Sequence, residues 1–136
     1  GMLKIMQRIG KRAPLHSTGV GKLMLTQYTP ERLNMLAQQK GLMFLTPHTL
    51  TSVQGLMREL ETIRKQGYAV DDEECELGAR CVAAPIYNYQ NHIVAAISVS
   101  GPISRITRKR IQEMAPIVIE AADKISATLA YKKTST

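Results

Sequence analysis

Apolar residues recur along this chain with two different spacings, and the change between them divides it. Leu3 and Ile5 alternate with Lys4, Met6 and Arg8, which predicts a strand from Leu3 to Ile9. Gly10 to Pro14 is a basic loop. The hydroxyls and glycines of Ser17-Thr18-Gly19-Val20-Gly21 then lead into Leu23, Met24 and Leu25, so a helix is expected to start near Ser17 or Thr18. Thr29-Pro30-Glu31 is a second helix start, with Thr at the cap and Pro in the first turn. Leu33, Leu36 and Ala37 give its buried stripe and Gly41 its end. Ser52 caps a third helix, whose face of Val53, Leu56, Met57, Leu60, Ile63 and Arg64 runs to Gly67. Beyond Gly67 the spacing shortens. Tyr68 to Val70, Arg80 to Tyr87 and His92 to Ser100 read as strands, the last two joined by the hairpin Asn88-Tyr89-Gln90-Asn91. In the third of these strands Ile93, Ala95, Ile97 and Val99 fall on one face and Val94, Ala96, Ser98 and Ser100 on the other. Gly101-Pro102 is expected to break it. Thr107 caps a long final helix with Ile111, Met114, Ala115, Val118, Ala121, Ala122, Ile125 and Leu129 on one stripe. Pro116 should kink or split that helix. A short loop after Tyr87 requires antiparallel pairing, so the fold class is α+β, helices packed on an antiparallel sheet.

With 136 residues, one domain is expected over 1–136, large enough to build a core without staples. No apolar run approaches the roughly 20 residues that span a membrane, so no membrane partner is expected. Cys75 and Cys81 make no disulfide framework and suit a reducing cytoplasm. Their spacing matches no metal motif, and no metal or cofactor is predicted. The net charge of +7 permits nucleic-acid contact. The basic residues are dispersed, however, and an acidic block lies between them. Arg108-Lys109-Arg110 opposes the helix dipole in the first turn of the final helix, an arrangement the sequence does not explain.

The candidate chemistry centres on Asp71-Asp72-Glu73-Glu74-Cys75-Glu76-Leu77-Gly78-Ala79-Arg80-Cys81, where five acids fall within six positions ahead of an apolar run. The stretch reads as a strand end, a tight acidic turn and the start of a buried strand, an arrangement that can line a small-ligand pocket. It can equally be a solvated turn. Gly19 and Val20 sit where a helix presents unpaired amides and partial positive charge, which favours an anion. The spacing is not that of a Walker loop, and a plain helix cap explains the same residues. Ser98 and Ser100 point into one space. Against solvent they are unremarkable; against a cavity they offer two donors to a carboxylate or hydroxyl. An enzyme can also be written down, with Cys81 as nucleophile, His16 as base and Asp71 to orient it. So can a zinc site of Asp71, Cys81 and His16, or a basic nucleic-acid-binding module.

Four separated stretches, in order, decide among these. They are Leu15 to Lys22, Gln66 to Glu74, Leu77 to Tyr87, and Ala96-Ile97-Ser98-Val99-Ser100-Gly101-Pro102. Together they resemble the effector-binding domain of IclR-type bacterial transcriptional regulators, from about Leu3 to Tyr131. The resemblance implies a GAF-like antiparallel sheet flanked by helices, without the family's opening helix and first strands before Leu3. It implies a non-catalytic, cytoplasmic sensor of a small organic acid that forms a homodimer or tetramer. It would meet DNA only through a winged helix-turn-helix, for which this chain shows no counterpart. The family's ligand positions fall on Gly19 and Val20, whose amides would hold a carboxylate, and on Asp71, Cys81, Ser98 and Ser100, which would contact the rest. Ala79 stands where relatives often carry Leu, which implies a roomier pocket. Arg108-Lys109-Arg110 stands where relatives often have acids.

Overall fold

The structure, a computed structural model, describes residues 14–134; the strand predicted at Leu3 to Ile9 lies outside them. Three helices come first: α1 (Gly19–Leu25), α2 (Pro30–Lys40) and α3 (Val53–Gln66). The strands β1 (Ala69–Asp72), β2 (Ala79–Tyr87) and β3 (Ile93–Pro102) follow, and α4 (Arg108–Thr134) closes the order. The sheet is antiparallel in the order β1-β2-β3. This is the α+β arrangement expected from the spacing of apolar residues.

The predicted caps form by side-chain hydrogen bonding. Thr18, Thr29 and Ser52 each accept from an amide in the first turn of the helix they precede. Gly67 ends α3 with φ at 85°, a left-handed conformation that a side chain would strain. Thr107 Oγ1 accepts from the Arg110 amide at 3.1 Å and caps α4.

Alternation along β2 sends its side chains to two cores. Val82, Ala84 and Ile86 pack with Ile111, Ala115, Val118 and Ala122 of α4. Ala83, with Ala69 of β1, faces Leu23 and Leu25 of α1, Leu33 of α2, and Leu56, Leu60 and Ile63 of α3. The sheet is therefore a middle layer between α4 and the other helices.

Four expectations are corrected. The strand does not break at Gly101-Pro102: Gly101 pairs with Arg80 and Pro102 with Ala79. Proline is tolerated there because β3 lies at the edge of the described sheet. Gly101 packs closely on Ile106, whose Cγ1 would lie 3.1 Å from a methyl group added there. The alternation predicted from Ile93 also fails at its start. Ile86 pairs with Ala95 and Tyr87 with Ile93, so Val94 is left without an opposite number in a bulge. The helix is not split at Pro116; α4 runs unbroken, with the proline on its exposed side, where water can reach the carbonyl that lost its partner. Ile125 also leaves the buried stripe, and Ser126 takes its place, its Oγ accepting from Tyr87 N at 2.9 Å.

The basic start of α4 has a partial explanation. Arg108 Nε lies 3.0 Å from Asp72 Oδ2, and Arg110 pairs with Glu113 at 3.2 Å. Asp72 is shared with the buried Arg80, whose Nε lies 2.8 Å from Oδ1 and whose Nη1 donates to Ile106 O. Burial disfavours the ionised Asp72, but the bonds and charges of Arg80 and Arg108 win and hold its carboxyl below the usual range.

Candidate functional site

The pairing register assembles most of the predicted positions without further argument. Asp71 lies opposite Cys81, and Cys81 lies opposite Ser100, so three candidates form one row across the sheet. The next row is Ala69, Ala83 and Ser98. Side chains two apart on a strand share a face. Asp71, Cys81, Ser98 and Ser100 therefore all lie on the face that carries Ala83, the face covered by α1.

The start of α1 is pressed onto those rows. A methyl group on Gly19 would stand 3.1 Å from Ala83 Cβ and 3.5 Å from Cys81 Sγ, a tight fit that glycine relieves. Thr18 Oγ1 accepts from Gly21 N at 3.0 Å, and the first helical bond runs from Lys22 N to Thr18 O. Gly19 and Val20 thus belong to the first turn, where helix amides have no partner within the helix. Val20 is exposed, as are Ser98 and Ser100. The edge between the start of α1 and this sheet face, with Asp71 and Cys81 beneath it and Ser98 and Ser100 exposed beside it, is the candidate groove. Ala79, paired with Pro102, continues the same face by one row.

The acidic turn is not the solvated loop that its composition allows. Asp71 Oδ1 accepts from Glu74 N at 2.8 Å, and the carboxylate of Glu74 turns inward, its Oε2 accepting from Asp72 N. The loop before α3 straps the turn from outside: Thr46 Oγ1 donates to Glu73 O and Thr49 Oγ1 to Glu74 O, both at 2.6 Å. Inside it stands Lys22 of α1, with no solvent exposure. Its Nζ reaches Glu59 Oε2 at 2.8 Å, Glu74 Oε1 at 2.9 Å and the Val70 carbonyl.

These surroundings set the acid–base state of the site. Burial pushes the Asp71 carboxyl up to about 6, and the charge of Glu74 adds to the rise. The amides of Glu74 and Cys75 and the charge of Lys22 oppose it. Burial also pushes the Cys81 thiol up to about 11, with the Asp71 charge adding to it and a bond to Ser98 opposing it. Cys75 is raised as well, by burial first and then by Asp71. A thiol in that state is a poor nucleophile at neutral pH. The proposed base is also engaged elsewhere, since His16 Nε2 lies 2.9 Å from Met43 O in the loop after α2. The structure therefore does not bring Cys81, His16 and Asp71 together as a catalytic set. Among the described residues no group of three or more His, Cys, Asp or Glu is placed to hold a metal ion. The basic surface is likewise partly neutralised, with Arg64, Arg108, Arg110 and Lys124 each beside an acid.

Two further cavities lie away from the groove. One, of about 480 Å³, is bounded by Tyr68 and by α4 around Pro116. The other, of about 600 Å³, lies between the end of α2 and Pro14-Leu15-His16. Neither includes a residue of the predicted effector site; His16 lines the second.

Two residues escaped the sequence reading. Lys22 was noticed only as a charge beside glycines; the available signal was a single lysine set inside the apolar run Val20 to Leu25. Ser17 is fully buried, and its Oγ has no hydrogen-bond partner. The Cys75 thiol is near enough to feel it but completes no well-formed bond.

Comparisons with known proteins find the same α+β fold. Residues 1–127 match the family described as the bacterial transcriptional regulator IclR C-terminal domain. The chain belongs to this family of transcriptional regulators, within their effector-binding domain. It is 44% identical over 130 residues to the transcriptional repressor IclR of Escherichia coli K12, covering 96% of this chain and 47% of that protein. It thus spans about half the length of the curated relatives it matches. The crystal structure of Thermotoga maritima IclR superposes with a TM-score of 0.85 at 37% identity, covering 96% of this chain and 53% of that one. The inducer-binding domain of a double mutant of the Acinetobacter transcription factor PobR, solved in complex with 3-hydroxybenzoic acid, superposes with a TM-score of 0.80. That likeness is at 28% identity and covers 88% of this chain and 69% of that one. Those curated relatives are named as transcriptional repressors. Among the described residues no helix is long and apolar enough to cross a membrane.

Proposed function

We propose that this domain senses a small organic acid and passes its occupancy to DNA-binding elements carried elsewhere in a longer regulator. The observation that carries the reading is the cross-strand row Asp71, Cys81 and Ser100 lying under the start of α1. The unpaired amides of Gly19 and Val20 take the carboxylate of the ligand. Ser98 and Ser100 bond its other polar atoms, Asp71 presents a carboxyl at the floor, and Cys81 fills the space between. The chain acts as a homodimer or tetramer in the cytoplasm, and effector binding shifts the balance between arrangements that hold winged helix-turn-helix elements differently. The bound aromatic acid in the PobR domain supports an organic acid as the ligand class.

A thermal-shift screen tests this with keto, hydroxy and sugar acids of two to six carbons, together with aromatic carboxylates. A ligand present at about 100 times its dissociation constant adds roughly 2.7 kcal/mol, a rise of several degrees for a domain of this size. The expected result is a selective rise that Ser98→Ala and Asp71→Ala abolish. A rise that survives both substitutions, or no rise with any acid, refutes the reading.

A further inference from the structure

A buried ion cluster is usually an expensive way to hold a core together. Taking charges out of water costs several kcal/mol each, and apolar replacements of similar volume are often as stable or more so. The cluster around Lys22 is unusual in where it is tied. The ammonium is fully buried on α1, three residues after Gly19. It reaches α3 through Glu59, β1 through the Val70 carbonyl, and the acidic turn through both oxygens of Glu74, at 2.9 and 3.1 Å. Glu74 carries the link onward. Its backbone amide donates to Asp71 Oδ1 at 2.8 Å, and its Oε2 accepts from Asp72 N at 2.9 Å. Two links therefore separate the ammonium from the carboxylate at the floor of the groove. A single helical turn separates it from the amides at the groove's other wall.

We infer that Lys22 is the positioning residue of this site: through Glu74 it sets the Asp71 carboxylate against β2, and through α1 it sets the Gly19 and Val20 amides over the same row of the sheet. Four observations converge on it. The ammonium has no exposure, so it serves no surface role. Its partners come from three elements besides its own. Glu74 is itself buried, so its inward turn depends on a counter-charge at that place. Gly21, next to Lys22, leaves no room for adjustment, because a methyl group there would lie 2.4 Å from Leu15 O. The start of α1 is thus held from the backbone side by Leu15 and from the side-chain side by Lys22. Glu59 is partly exposed on α3, which makes it the member of the cluster that communicates with the surface.

The significance of this role rests on the effector-site reading, but its test needs no effector. Wild type and Lys22→Met, labelled with ¹⁵N and ¹³C, are compared by native-state hydrogen exchange and by ¹³C titration of the Asp71 carboxyl. The groups facing Asp71 in that titration are Glu74 and Cys75 of the turn, Lys22 of α1 and Cys81 of β2. The expected result has two parts. The Glu74 and Asp72 amides lose about tenfold more protection than the Val82 and Val99 amides of the central sheet, because local opening separates from global unfolding. The Asp71 midpoint also rises from its wild-type value, because the Lys22 charge lowers it in the folded domain. An equal loss at all four amides, or an unmoved Asp71 midpoint, overturns the inference and leaves Lys22 as an ordinary contributor to stability. If Lys22→Met does not fold, Lys22→Met/Glu74→Gln removes both charges and is read by exchange at the same four amides alone, because the two charges act oppositely on Asp71. An effector screen without a hit would leave this result standing, and an unmoved Asp71 would leave the effector reading standing.

Discussion

Replacing Asp71 by Asn should stabilise the domain at neutral pH, even though it removes a hydrogen-bonded acid. The folded domain holds the Asp71 proton up to about pH 6, against an ordinary value of 3.8. The folded state therefore binds this proton more tightly than the unfolded chain does. Its contribution is fully present below pH 3.8 and is lost as the pH rises through about 6. At about 1.4 kcal/mol per pH unit, the difference amounts to about 3 kcal/mol against the folded state at pH 8. Asp71 is 9% exposed, so solvent screening removes little of this. Asn is close in shape to the protonated acid, and its Oδ1 can still accept from Glu74 N. Asp71→Asn should thus be more stable than wild type by about 2–3 kcal/mol at pH 8. The advantage should shrink to nothing near pH 4. Urea unfolding of both proteins from pH 4 to 8 measures it, and the difference between the two curves cancels every group they share. A variant less stable than wild type at pH 8, or a difference that does not change with pH, refutes the electrostatic picture of the turn.

Gly21→Ala should destabilise by more than about 3 kcal/mol in urea unfolding despite alanine's better helix propensity, since the added methyl meets backbone atoms of Leu15 at 2.4 and 2.5 Å. Leu60→Ala removes a side chain with no exposure between α3 and the sheet, and should cost about 2–5 kcal/mol by the same measurement. Ala79→Leu should weaken binding of the effector found in the acid screen, as read by the ligand-induced rise in Tm; unchanged affinity removes Ala79 from the pocket wall. Titration calorimetry with that acid should give tighter binding as the pH falls from 8 through about 6. A protonated Asp71 donates to an anion that the ionised form repels, and flat affinity over this range argues against contact with Asp71.

Much of this was legible in the residues because local chemistry and tertiary structure agree. Thr18, Thr29, Ser52 and Thr107 cap helices because each hydroxyl satisfies an amide that the helix cannot. The strand alternation placed Ser98 and Ser100 on one face, and the register added Cys81 and Asp71 to it. What could not be read depends on side chains that cross between elements. Lys22 and Glu74 are 52 positions apart, and nothing in either neighbourhood announces the other. Asp72 joins Arg80 to Arg108, so the cations at the start of α4 looked unfavourable only while that partner was out of sight. Gly101-Pro102 misled for a related reason: whether a proline ends a strand depends on whether its neighbour needs an amide there, and that is a property of the sheet.

The same long-range ties explain why composition alone leaves the acidic block open between a solvated turn and a pocket wall. Composition alone treats Asp71, Asp72, Glu73 and Glu74 as equivalent, yet each has a separate fate. Asp72 is held ionised between two guanidinium groups. Glu73 bends back to accept from Gly78 N at 2.9 Å and closes the turn. Glu74 is spent on Lys22. Asp71 forms no ion pair among the described residues, and burial makes it hold a proton that an exposed acid would lose. A chain selected only for stability gains nothing from burying that carboxyl, since an amide in its place would fold better at neutral pH. The proposed effector role supplies a reason to keep the acid, and the hydrogen bond from the Glu74 amide holds it in place.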